Sequence, residues 1–204
     1  NLSLVDLVDQ YKNFGENLFS AVDGSYSLVF WDRQQQKLFL SNDDYGTKLL
    51  YYFQHPNGDV WFSNNLDELL KVVGRQPISN KGLFEFLRFL DISPPHTIFE
   101  NIFFLEPDKI LITEQGRDVR LQEKSTAGKQ AVHPDSWEDV VGDFETIFNA
   151  SISARIPSTG KVGSFLSGGI DSSLVCAMAS SLRGDIEAVT VGFGDKKHDE
   201  TPVA

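Results

Sequence analysis

The stretch Lys161-Val-Gly-Ser-Phe-Leu-Ser-Gly-Gly-Ile-Asp-Ser-Ser173 constrains the fold of this chain more than any other. Its apolar run Val162 to Leu166 predicts a buried strand, and Leu174, Val175 and Met178 recur at helical spacing after Asp171. Ser167-Gly168-Gly169 lies between them. A strand that passes through such a turn into a helix start presents free backbone N–H groups and the positive end of a helix dipole, which suits an anion. Adjacent glycines let the backbone approach phosphate oxygens where a Cβ would intrude, and Ser167, Ser172 and Ser173 add hydroxyl donors. Asp171 would repel a polyphosphate unless it holds Mg²⁺, whose charge dominates the local field. No lysine stands where G-x-x-x-x-G-K-[ST] requires one, so this is not a Walker-type loop. A bare strand–helix turn with an acid near the N-cap explains the glycines but not three hydroxyls around one carboxylate.

Ile186 to Val191 reads as a second buried strand ended by Gly192-Phe193-Gly194, so a parallel strand–helix–strand unit with a right-handed crossover is expected. Upstream, Ser136 heads a helix with Trp137, Val140, Val141, Phe144, Ile147 and Phe148 on one face, and Ser136-x-x-Asp139 resembles a capping box. Two parallel strands and their helices are too few to cover both faces of a doubly wound sheet. The sheet is expected to be completed by a second chain or by a longer polypeptide.

The first half of the chain reads differently. A helix over Leu4 to Tyr11 stops near Gly15. Strands follow at Gly24 to Trp31, Lys37 to Ser41, Leu49 to Phe53 and Val60 to Ser63, the last pair around the hairpin turn His55-Pro56-Asn57-Gly58. Helices are predicted at Leu66 to Val73 and Lys81 to Leu90, broken by Pro94-Pro95. Ile102 to Leu105, Ile110 to Thr113 and Val119 to Gln122 then suggest a small antiparallel set, with Glu114-Gln115-Gly116 turning its last pair. Serial strands with few helices imply an antiparallel, β-rich module. From Glu123 to Pro134 the chain is polar and aperiodic and reads as a linker.

A formal net charge of −11 argues against nucleic acid and membrane surfaces as partners, while ATP depends on local groups. Cys176 is the one cysteine, which excludes an intramolecular disulfide and suits a reducing, cytoplasmic setting; in its apolar helix it is expected to be a buried structural thiol.

The S-G-G-x-D-S pattern of residues 167–172 resembles the loop of the ATP pyrophosphatase families. In order along the chain, further blocks resemble the glutamine-hydrolysing asparagine synthetase family. Asp23-Gly-Ser-Tyr-Ser-Leu-Val-Phe-Trp-Asp32 is similar to the strand after its D/Q-G-x-F segment. Leu40 to Tyr52 resembles its x-R-D-x-x-G-x-K-P-L-Y-Y run, and Phe62 to Leu70 its F-A-S-E-x-K-A-L-L run. Pro95 to Ile102 with Leu105-Glu-Pro107 resembles its P-x-T-x-F-x-x-I-x-x-L-x-P-G stretch. The resemblance implies an α+β, antiparallel, glutaminase (Ntn-like) module, incomplete, over 1–122, a linker over 123–135, and the start of an α/β parallel-sheet ATP pyrophosphatase domain (adenine nucleotide alpha hydrolase-like) over 136–204.

By that resemblance the activity is ATP-dependent amide-bond formation, as in asparagine biosynthesis. A carboxylate of a small molecule or peptide becomes an acyl-adenylate, and an amine or ammonia attacks it. Ser167, Gly168, Gly169, Ser172 and Ser173 would cradle the pyrophosphate, Asp171 would ligate Mg²⁺, and Phe165, Leu166, Val191 and Gly192 would line the adenine pocket. Asp199-Glu200 resembles the family's acidic pair at the next helix, with a solvated N-cap pair as the alternative. No catalytic residue is assigned. His55, His96, His133 and His198 fall in turn or linker contexts, and Lys48 reads as a solvated turn lysine. A homodimer is a further expectation.

The departures matter. No cysteine precedes Cys176, the acid that would hold the glutamine amino group aligns with Ser3 or a neighbour, Asp44 follows Asn-Asp rather than Arg-Asp, and Leu49 replaces a proline. The glutaminase half is therefore expected to be inactive, which makes a branch with a degenerate glutaminase half, a β-lactam synthetase-like enzyme or a lasso-peptide cyclase, an alternative reading. A non-catalytic scaffold, and a tRNA-thiolating or NAD-forming pyrophosphatase, are the competing readings; the upstream blocks speak against the latter.

Overall fold

The computed structural model describes residues 4–114, 119–125, 136–192 and 201. The chain divides into two compact units, Asn1–Lys129 and Gln130–Ala204.

In the first unit, α1 (Leu4–Phe14) gives way at Gly15 to a 3-10 turn and the short α2 (Leu18–Ala21). β1 (Ser27–Asp32) and β2 (Lys37–Asn42) form a hairpin whose turn is closed by Asp32 Oδ1, which accepts from the Gln34 and Gln35 N–H groups at 2.8 and 2.9 Å. β3 (Tyr51–Gln54) and β4 (Val60–Ser63) form the second hairpin. Asn65 caps α3 (Leu66–Val73) through its side chain, and Ser79 caps α4 (Asn80–Phe89) likewise. β5 (Ile102–Phe104), β6 (Lys109–Glu114) and β7 (Arg120–Glu123) complete the unit.

These strands make two antiparallel sheets, ordered β1-β2-β6-β7 and β4-β3-β5. The expected set of the last three strands therefore does not exist as one sheet. β5 pairs with β3, while β6 pairs with β2 and β7. The turn expected at residues 115 and 116 lies outside the described residues.

Period-two alternation explains the layering. Phe39, Ile110 and Ile112 point to one side, where they pack with Phe19, Tyr11, Leu28 and Phe30 from the helical layer and β1. Leu40 and Leu111, one residue out of phase, point to the other side and meet Tyr52 of the second sheet together with Leu50 and Leu105, which border its strands β3 and β5. On that sheet's far face Phe53 and Ile102 pack on Leu69 of α3. The unit is a helix–sheet–sheet–helix stack with three apolar layers between its elements.

The second unit holds α5 (Trp137–Arg155), β8 (Val162–Phe165), α6 (Ile170–Leu182) and β9 (Ile186–Val189). Ser136 caps α5: its Oγ accepts from the Asp139 N–H and donates to Asp139 Oδ2 at 2.7 Å. β8 and β9 pair in parallel, Val162 opposite Ile186 through Phe165 opposite Val189. The expectation of buried strands fails here. Phe165 is 77% exposed and Val189 49%, because α6 covers one side of a two-stranded sheet and no described residue of the unit covers the other. Cys176, expected to be buried, is half-exposed on α6.

The start of the expected linker is also corrected. Glu123 is the last residue of β7 and Lys124 is buried, so the polar composition that suggested a free connection begins inside the first unit. Among the described residues no helix is long and apolar enough to cross a membrane.

Candidate functional site

The loop from β8 into α6 is built from its backbone outward. Leu166 N–H bonds to the Val189 carbonyl at 2.9 Å and Thr190 Oγ1 donates to the Leu166 carbonyl at 2.8 Å, which ties the start of the loop to the end of β9. Sequence reasoning passes over Thr190, since a lone threonine after a strand carries no signal of this role. Gly168 adopts φ +81°, where an L side chain is strained, and Gly169 is the N-cap of α6. The Ile170, Asp171 and Ser172 N–H groups that follow have no acceptor within the helix, as at every helix start.

The serines act differently from expectation. Ser167 N–H donates to Ser172 Oγ at 3.2 Å, and the two hydroxyl oxygens are 2.9 Å apart. Ser172 and Ser173 each donate to the Gly169 carbonyl, at 3.1 and 2.8 Å. Gly169 N–H in turn donates to Ser167 Oγ at 3.4 Å, so all three hydroxyls staple the loop, and the Ile170, Asp171 and Ser172 N–H groups at the helix start are left as its outward donors. Asp171 is exposed in the first turn of α6. Phe165, Val191 and Gly192 are exposed and Leu166 half-buried at the carboxyl ends of the two strands, so the structure brings all the proposed nucleotide residues to one end of the parallel pair. Among the described residues no three acidic, His or Cys side chains converge as a metal site. Ser3, His133, His198, Asp199 and Glu200 lie outside the described residues.

Arg183 holds the opposite end of α6. Its guanidinium forks onto Asp185 at 2.6 and 2.9 Å and donates to the Pro157 carbonyl at 2.6 Å. The pairing raises the Arg183 pKa and lowers that of Asp185.

In the first unit the Leu40–Tyr52 block turns on Asp43, not on Asp44. Counted back from Gly46 and Lys48, the arginine of the resembled run falls at Asn42 and its aspartate at Asp43; the expected emphasis on Asp44 was one residue out of register. Asp43 is 1% exposed and accepts from Tyr45 N–H (3.1 Å), Thr47 N–H (3.0 Å), Thr47 Oγ1 (2.7 Å), and, at 3.3 Å each, the Tyr26 and Lys48 N–H groups. Burial pushes its carboxyl up, but the bonds from Thr47, Tyr45 and Tyr26 outweigh it and hold the group at about 2. Asn42 is fully buried: its Nδ2 donates to the Leu105 carbonyl at 2.9 Å, and its Oδ1 has no hydrogen-bond partner. His96, expected at the surface, is half-buried, with Nε2 2.7 Å from Lys81 Nζ beside an apolar cleft lined by Phe86, Leu90 and Phe104. Lys48 is exposed.

An antiparallel sandwich followed by a parallel strand–glycine loop–helix unit defines a two-part protein, and comparison with known proteins agrees. Residues 5–123 match the glutamine amidotransferase domain family and residues 143–204 the asparagine synthase family. Asparagine synthetase [glutamine-hydrolyzing] 1 of Bacillus subtilis is 25% identical over 198 residues, covering 97% of this chain and 31% of that protein. Putative asparagine synthetase [glutamine-hydrolyzing] 2 of Methanocaldococcus jannaschii is 27% identical over 198 residues, covering 94% and 38%. Amidase chry2 of Gibberella zeae is 28% identical over 180 residues, covering 84% and 26%. This chain belongs to the asparagine synthetase family, and it spans about a third of the length of the first two relatives.

Proposed function

We propose that the protein is an ATP-dependent carbon–nitrogen ligase of the asparagine synthetase type, in which the β8–α6 loop holds the phosphates of ATP. The second unit then reads as the start of an ATP pyrophosphatase domain. The observation that carries this reading is the loop itself: Gly168 at φ +81° directs a stapled backbone into the N-terminus of α6, with Asp171 exposed beside it. Amides preorganised in this way need no rearrangement to meet charge that develops on a leaving pyrophosphate. Asp171 would hold Mg²⁺ together with the nucleotide's own oxygens, since Mg²⁺ in phosphate sites commonly takes one or two carboxylates. The metal would supply charge neutralisation. Ser172 and Ser173 would hold the loop's shape and could turn their hydrogens toward the phosphates.

In this reaction a carboxylate oxygen attacks the α-phosphorus of ATP and pyrophosphate leaves. An amine or ammonia then attacks the acyl carbon, AMP leaves, and an amide forms. Residues 5–123 contain no cysteine, so these residues supply no thiolate for glutamine hydrolysis. These residues by themselves are accordingly read as not hydrolysing glutamine, and the nucleophile at the acyl carbon is ammonia or an amine.

Asp171→Ala tests the reading. Isothermal titration of the chain with Mg·ATP should show binding in the wild type and at least a tenfold weaker affinity in the variant, a loss of about 1.4 kcal/mol or more. Equal affinity in the two proteins would rule out Asp171 as the metal carboxylate. No heat from the wild type at millimolar nucleotide, with the second unit shown to be folded by protection of its α6 amides from hydrogen exchange, would remove the loop as a nucleotide site and leave the scaffold reading.

A further inference from the structure

Lys124 stands immediately after β7 and is 8% exposed. Burying an ammonium is costly unless anionic and carbonyl partners surround it, so its partners show what the burial achieves. The ammonium donates to the Asn42 carbonyl, to Asp44 Oδ1 at 3.4 Å and to the Tyr26 hydroxyl at 3.5 Å, and lies 5.6 Å from the Tyr26 ring centroid. The backbone on both sides of this contact is pinned. Lys124 N–H bonds to the Asp108 carbonyl at 2.7 Å, and Ser125 N–H to Ser20 Oγ at 2.9 Å.

Tyr26, Asn42 and Asp44 all adjoin one turn. Asn42 and Asp44 flank Asp43, the carboxylate that gathers the amides of Tyr45, Thr47 and Lys48, and Tyr26 gives Asp43 its own N–H. That turn, through Thr47 and Lys48, walls a polar cleft of about 450 Å³ with Ser25, Ser27 and Asn64. The cation therefore joins two places 80 residues apart in sequence. One is the wall of a cleft; the other is the strand end from which the chain leaves the sandwich.

We infer that Lys124 is a positioning residue that locks the 44–48 turn, and with it the polar cleft, to the exit of the chain from β7, so that the two order or loosen together. Such a coupling is reciprocal: a change at the exit alters the turn, and a change in the turn alters the exit. The inference holds whether or not the glycine loop binds a nucleotide. An uncharged chain at 124 leaves Asp44 and the Asn42 carbonyl without this cation, whereas arginine preserves the charge and its donors.

Amide hydrogen exchange on the full chain decides it. Lys124→Met should speed exchange at Tyr45, Thr47 and Lys48 by about tenfold or more while Phe39 and Leu111 in the central strands keep their rates. Lys124→Arg should restore wild-type protection of the turn, which a purely space-filling role would not require. Thr47→Ala should in turn speed exchange at Lys124 and Ser125. Unchanged turn amides in Lys124→Met, or acceleration spread evenly through the sandwich, would overturn the inference. So would failure of arginine to restore protection, or an unaltered exit in Thr47→Ala. If Lys124→Met does not fold, the exchange rates of Lys124 and Ser125 in Thr47→Ala decide between coupling and its absence.

Discussion

Asp43 shows how one buried carboxylate can organise a turn. Its folded pKa lies at about 2, below the ordinary value of 3.8. A depressed carboxylate contributes stability that is fully present above the unfolded pKa and is lost as pH falls toward the folded one. Asp43 should therefore add about 2 kcal/mol at neutral pH, declining between roughly pH 4 and pH 2. Urea unfolding of Asp43→Asn should show that loss at pH 7 and little difference from wild type near pH 2. A variant as stable as wild type at pH 7 would mean the turn's amides find water just as readily. Tyr52 works at the other end of the scale. Burial raises its phenol to about 12, so the folded state favours the neutral form and stability should fall as pH rises from about 10 to 12. Tyr52→Phe should flatten that alkaline limb. Neither role was legible from residue type. An aspartate between Asn42 and Asp44 reads as solvated turn chemistry until five donors converge on it.

Among the elements, those with local signals were legible. The cap at Ser136, the end of α3 at Val73, the strands β1 and β2 and the β3–β4 hairpin follow from capping, turn residues and alternation, all properties of a few adjacent residues. Strand pairing was not legible for β5, because Ile102-Phe-Phe104 is apolar enough to suit either sheet, and its partner is β3, some fifty residues earlier. Gly82 in α4 also hides its role in the sequence, where a helical glycine only weakens a helix. Its absent side chain lets the helix approach the next segment: a Cβ there would stand 2.4 Å from the Thr97 carbonyl oxygen. Alanine would gain about 1 kcal/mol in helix propensity but meet rigid backbone, at a cost of about 1–3 kcal/mol. With the contact this short the clash should win. Gly82→Ala should lower the thermal midpoint of the first unit; a raised midpoint would show that α4 can shift away without loss.

At the scale of the molecule, the two units differ in how much they bury. Among the described residues, the buried apolar side chains belong to the first unit, Ala179 excepted. On α5, Trp137 and Ile147 are 74% and 66% exposed. Hydrophobic burial is the main favourable contribution to folding, so a unit with so little of it cannot offset its chain entropy alone. Expressed separately, residues 1–129 should melt with a single cooperative transition, whereas 130–204 should lose its circular dichroism gradually. A sharp transition in the second fragment would show that its own contacts suffice. The family match describes this asymmetry in other terms: the amidotransferase domain is matched over 5–123 and the asparagine synthase region over 143–204, in relatives about three times as long.

The sequence by itself determined the order of elements, the β-rich and parallel halves, and the glycine loop between β8 and α6, because capping, alternation and glycine backbone freedom act between near neighbours. Tertiary structure alone decided that β5 leaves β6 for β3, that Asp43 rather than Asp44 anchors its turn, that the loop serines bond to one another, and that Lys124 is buried. Each of these depends on which distant residue supplies the partner for a strand edge, a carboxylate or a charge, and that choice is made by the packing of the whole.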